Sequence, residues 1–97
     1  MEHKLVDKTW QSPSELEDII RAHQVEGWCV GAMGNIQGSE IIVMTKMNDT
    51  PANHEVIPID VTSAADLKLK IAEKIAEGYE ICAIGECSGI PILIARK

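Results

Sequence analysis

EGWCVGAMGNIQGSEIIVMTK, residues 26–46, and EGYEICAIGECSGIPILIARK, residues 77–97, align without a gap. Extended towards the N-terminus, the same offset of 51 gives 11 identities over the 44 positions 3–46. The identities include His3/His54, Ser12/Ser63, Leu16/Leu67, Ile20/Ile71, Gly34/Gly85 and Gly38/Gly89. Many of the mismatches keep size and polarity, such as Val6/Ile57, Trp28/Tyr79 and Val30/Ile81. Self-similarity at one fixed offset is the mark of a repeated structural unit. The chain therefore reads as one domain, residues 1–97, made of repeats 3–46 and 54–97. The stretch MNDTPAN, 47–53, is the linker, since Asn, Asp, Thr and Pro favour turns.

Each repeat reads as strand, helix, strand, strand. Val6 and Trp10 fall on one face of LVDKTW, residues 5–10. Ser12, Pro13 and Glu15 form a helix start, with a capping hydroxyl, proline in the first turn and an acidic residue three positions on. Leu16, Ile19, Ile20 and His23 recur at helical spacing, and Gly27 supplies a left-handed terminus. WCVGAM and EIIVMTK follow as strands, with a turn around Gly34, Asn35 and Gly38. The second repeat has the strand EVIPIDV, the start Ser63/Asp66, the face Leu67, Ile71 and Ile75, the stop Gly78, and the strands YEICAI and PILIAR. Pro58 and Pro91 cannot donate to a ladder, so each belongs at an edge, a strand start or a bulge.

The expectation is an α+β fold: an internally duplicated β-α-β-β repeat of six strands and two helices. A pseudo-twofold axis relates the copies, and the helices pack on one side of the sheet. Ile41-Ile42-Val43-Met44 and Ile92-Leu93-Ile94-Ala95 are apolar at every position, as in strands covered on both faces. Two helices cannot provide that cover, so either the two half-sheets pack on each other or another subunit covers them, and of these a homo-oligomer, most simply a dimer, is favoured.

Composition narrows the function classes. The hydrophobic content is 45% and the charged content 25%, which fits a folded globular domain. The formal net charge of −6, with scattered basic residues, argues against a general nucleic-acid binder or a binder of anionic membranes. No apolar run is long enough for a membrane span, and MEHKLVDKTW lacks a signal-peptide core, so a cytoplasmic protein with reduced thiols is expected.

Within a repeat, the positions that differ between copies are where one copy can carry a task. Cys29, Cys82 and Cys87 stand opposite Glu80, Gly31 and Ile36. Cys29 and Cys82 read as small buried hydrophobes. Cys82 and Cys87 are also placed to face each other across a hairpin, with Cys87 exposed in the turn. That makes them the candidates for a reactive thiol or a zinc site with a histidine, although no paired C-x-x-C spacing is present. His3 and His54 are symmetric, which suggests a structural or interface role. His23 lies near a helix C-terminus, where the helix dipole favours its protonated form. GAMGNIQG leads into a strand rather than a helix, so it is a hairpin turn and not a phosphate loop. Trp28 and Tyr79 follow the helix-ending glycines and read as rings that pack the helix end on the sheet. Trp10, matched by Val61, is the tryptophan placed for a partner surface. Glu80 and Glu86 have no acidic counterparts and read as a solvated rim.

No cofactor is implied. The function that fits is a non-enzymatic module that self-associates and binds a protein partner or small ligand where its halves meet. The ligand or interface candidates are Trp10, Trp28, Tyr79, His3 and His54. The alternative is a thiol- or zinc-dependent small enzyme or sensor using Cys82 and Cys87.

Overall fold

A computed structural model describes residues 2–7, 10–48 and 53–97. The elements are β1 (His3–Asp7), α1 (Pro13–Val25), β2 (Trp28–Ile36), β3 (Ser39–Lys46), β4 (His54–Pro58), α2 (Ala64–Ala76), β5 (Glu80–Cys87) and β6 (Ile90–Arg96). The fold is α+β, with two helices and six antiparallel strands in two three-stranded sheets. Sheet 1 has the order β1-β3-β2 and sheet 2 the order β4-β6-β5. No helix among the described residues is long and apolar enough to cross a membrane.

Local chemistry forms the elements as the sequence suggests. The Ser12 hydroxyl accepts from Glu15 N at 3.2 Å and the Ser63 hydroxyl from Asp66 N at 3.1 Å. Gly27 and Gly78 follow the helices at φ 96° and 98°, a region open mainly to glycine. The hairpin turns are tighter than expected. They consist of Gln37-Gly38 and Ser88-Gly89, with positive φ at both positions of each. That geometry matches the twist of the flanking strands and produces two-residue hairpins. Gly34 and Gly85 consequently lie inside strands β2 and β5. The first strands are shorter than expected, ending at Asp7 and Pro58. Lys8 and Thr9 of the expected strand 5–10, and residues 49–52 of the expected linker, lie outside the described residues.

The two sheets match position by position. His3↔Thr45 recurs as His54↔Arg96, Leu5↔Val43 as Val56↔Ile94, and Gly34↔Ile41 as Gly85↔Ile92. The bulge between Val30 and Ala32 recurs between Ile81 and Ala83. This is consistent with a two-copy repeat.

The packing of the two halves is unequal, which departs from the expected twofold. The core combines Val30, Ile42 and Met44 of sheet 1, Leu16 and Ile20 of α1, Trp10, and Val56, Ala83, Cys87, Ile92 and Ile94 of sheet 2. Helix α1 thus packs between its own sheet and the inner face of sheet 2. It also seals the free edge of β4. Val56 N donates to Glu17 Oε1 at 3.0 Å, His54 N donates to Gln24 Oε1 at 2.7 Å, and Arg21 Nε donates to the His54 carbonyl at 2.9 Å. Residues 17, 21 and 24 form one helical stripe, so a single helix face satisfies edge groups that would otherwise be left unpaired. Helix α2 carries Lys68, Ala72 and Ile75 at the matching positions. It makes no comparable contact with β1 and has no buried residue.

The doubly apolar strands therefore have different fates. Strand β6 is buried on both faces, with Ile92, Leu93, Ile94 and Ala95 all removed from solvent. In the matching run of β3, Ile42 and Met44 are buried, while Ile41 and Val43 stay partly open on the outer face of sheet 1.

Candidate functional site

The seam between the halves forms a cleft of about 450 Å³. Its walls are the two hairpins. Met33, Gly34 and Asn35 stand on one side with Ile84, Gly85 and Glu86 on the other, and Glu40 and Ser88 lie across the end. The volume is within the range that holds a small ligand. Glu40 is buried on the inner side of sheet 1 and accepts from Ser88 N at 3.2 Å, which ties the second hairpin to the first half. Ser88 Oγ also donates to the Gln11 carbonyl at 3.1 Å. The approach of β5 to β2 is close at Gly85, where a Cβ would sit 2.6 Å from Met33 Sδ and would displace that side chain. At Gly34, the matching position, nothing lies within 4 Å of a Cβ. Glu86 lines this cleft while Glu80 is drawn away to Arg96, so the two carboxylates do not act as a pair.

The matched histidines have diverged. His54 is fully buried at the other end of the seam. Its Nε2 receives the Val30 backbone N–H at 3.2 Å, and its Nδ1 lies 3.0 Å from Gln24 Oε1. A backbone N–H can only donate and an amide oxygen can only accept, so the ring is the neutral tautomer with its proton on Nδ1. His54 thereby joins β4, α1 and β2. His3 is exposed, with one contact to Thr45 Oγ1 at 3.2 Å. Histidine 23 also departs from expectation. Burial, then the Lys4 ammonium 2.7 Å from Nδ1, hold its pKa below the usual value and outweigh the opposing charge of Glu26.

The cysteines do not form the expected pair. Cys82 and Cys87 both stand on β5 and do not face each other across a hairpin. Four strand residues lie between them, a separation of roughly 16 Å. Cys87, expected at the surface, is fully buried in the core, because the turn is confined to Ser88-Gly89. Cys82 sits at the bulge, near Cys29 across the seam. Burial pushes the Cys82 thiol up to about 11, and burial likewise raises Cys29 despite the nearby Arg96 guanidinium. Arg96 forms a two-point pair with Glu80, at 2.8 and 3.2 Å, and also donates to Cys29 Sγ. Its guanidinium lowers the Glu80 pKa by hydrogen bonding first and by charge second. Among the described residues, no three His, Cys, Asp or Glu side chains converge as a metal would require.

No family model matches the chain, and neither a curated protein nor a solved structure does.

Trp10, the candidate for a partner surface, is wholly inside the core. Trp28 is half-buried beneath the ammonium groups of Lys4 and Lys46, 4.2 and 5.2 Å from the ring centre. Tyr79 repeats the arrangement with Lys97 and Lys74, at 4.7 and 5.9 Å. The Glu55 carboxylate beside its hydroxyl raises the Tyr79 pKa. These rings lie at the helix ends, away from the cleft. Sequence reasoning missed Met33, Glu40 and Ile84 as cleft residues. The signal available was Gly85, which marks a close approach of two strands once it is placed inside a strand rather than in a turn.

Proposed function

We propose that this chain is a non-enzymatic cytoplasmic module that arose by duplication of a β-α-β-β unit. It self-associates and holds a small ligand or a protein segment at the seam, in an accessory or regulatory role. The observation that carries this reading is the outer face of sheet 1. Leu5 is 62% exposed and Ile36 61% exposed there, beside the partly open Ile41 and Val43. Contiguous apolar surface of this kind marks an interaction site. The recurrence of register, bulge and turns at one offset supports the duplication. The thiols support a non-catalytic role. Cys82 and Cys29 are held towards the protonated form, which is the poor nucleophile, and Cys87 is closed off from solvent.

Native mass spectrometry of protein purified without chelator tests the reading, because it reports subunit number and bound mass together. Dimers or larger assemblies are expected. A chain that stays monomeric at every concentration would overturn it.

A further inference from the structure

Because the sheets match at an offset of 51, every residue at the contact between the halves has a counterpart elsewhere on the surface. The inner face of sheet 2, with Val56, Ala83, Cys87, Ile92 and Ile94, packs on the first half. Its counterpart is the outer face of sheet 1, with Leu5, Ala32, Ile36, Ile41 and Val43, which is open. The surface of the first half that receives sheet 2 is built on Trp10, Leu16, Ile20 and Met33. Its counterpart is Val61, Leu67, Ile71 and Ile84, on the α2 side of sheet 2. That side carries an apolar groove of about 360 Å³ lined by Val61, Leu67, Ile84 and Pro91. Ile84 is 42% exposed and Ile75 57% exposed, although the matching Met33 and Gln24 are engaged in the contact between the halves.

The two open surfaces also fit in size. Within the chain, the large Trp10 shares the core with the small Cys87. At the counterpart positions the small Val61 leaves a groove, and the large Ile36 projects from sheet 1. Within the chain, Met33 packs where Gly85 has no side chain. At the counterpart positions stand Ile84 and Gly34, and the space above Gly34 is empty.

We propose that a second copy of this chain lays the open face of its sheet 1 on the α2 side of sheet 2. The contact repeats between molecules the one that joins the halves within a molecule. The inference rests on the self-association proposed above and specifies its surfaces. It is a head-to-tail contact, in which each copy presents one surface and receives on the other. It is looser than its internal template, since α2 lacks the acceptors that Glu17 and Gln24 supply to β4. Lys68, which replaces Glu17, falls beside the strand that ends in Asp7, so opposite charges meet there.

Sedimentation velocity on wild type, Ile36→Glu, Ile84→Glu and an equimolar mixture of the two variants tests the geometry. Wild type is expected to associate and each variant to sediment as a monomer. The mixture is expected to form one-to-one pairs, because each variant keeps the surface the other has lost. If Ile84→Glu associates like wild type while Ile36→Glu does not, the sheet 1 faces pair with each other. The head-to-tail contact is then overturned while self-association stands. A mixture that stays monomeric overturns it as well. A wild type that is monomeric throughout the dilution series removes both proposals. Circular dichroism checks folding, and Leu5→Glu and Ile75→Glu, at exposed positions of the same two surfaces, replace any variant that does not fold.

Discussion

Replacing His54 by alanine tests how the halves are joined. The substitution removes the acceptor for the Val30 N–H and the ring donor to Gln24 Oε1, and opens a space among buried side chains. A buried donor left without its acceptor costs about 1–3 kcal/mol. With the lost second hydrogen bond and the vacated volume, His54→Ala should lose about 3 kcal/mol in total. For a domain of this size that lowers the melting temperature by roughly 12–24 °C. His3→Ala is the internal control, because the matched residue is exposed and its loss should stay within about 0.5 kcal/mol. Urea unfolding followed by tryptophan fluorescence reads both, since Trp10 is fully buried. All variants are compared at one protein concentration, because association adds to apparent stability. If His54→Ala loses less than about 1 kcal/mol, the penalty for the orphaned Val30 N–H is not real. The same conclusion follows if the two alanine variants unfold together.

Three further outcomes can be measured. Gly85→Ala drives a Cβ against Met33 and should cost about 1 kcal/mol in thermal unfolding, whereas Gly34→Ala, with open space, should fold with little loss; equal losses would refute the close-approach argument. Under native conditions near neutral pH, a thiol reagent should label Cys82 and Cys87 far more slowly than after unfolding, when all three cysteines react fully; native labelling of either at the rate of a free thiol would contradict their burial. His23 binds its proton less readily in the fold than in the unfolded chain, so its contribution to stability falls as pH drops below about 6.5 and levels off below the folded pKa. In an NMR titration its midpoint should lie below that of a free histidine and rise in Lys4→Met; an unshifted midpoint in both proteins would show that burial and Lys4 do not act on it.

Most of the secondary structure was legible in the sequence because its determinants are local. Ser12, Ser63, Gly27 and Gly78 act within one helical turn, and their positions stand out without any tertiary information. The hairpins were legible as hairpins, but their turns were not. Gly34 and Gly38 look alike in a string, and only strand pairing shows that Gly38 turns the chain while Gly34 lies in β2. That shift placed Cys87 in a strand and buried it.

The candidate site was less legible. Trp10 and His54 resemble surface residues by position and became core residues through contacts with the other half. The pKa shifts of His23 and Cys82 likewise arise chiefly from burial in the folded chain, with the Lys4 ammonium adding to the effect on His23.

The sequence by itself determined the offset of 51 at which two of its stretches agree, the order of elements and their capping, because these follow from local backbone preference and from identity between two stretches of one chain. Only the tertiary structure decided that two equivalent halves are not equivalently packed. The contact between these halves is head-to-tail, with one presenting surface and one receiving surface, and a single chain can satisfy only one such pair. Glu17, Arg21 and Gln24 seal β4, Trp10 and Met33 receive sheet 2, and the matching surfaces around Leu5, Ile36 and Ile84 remain open to solvent.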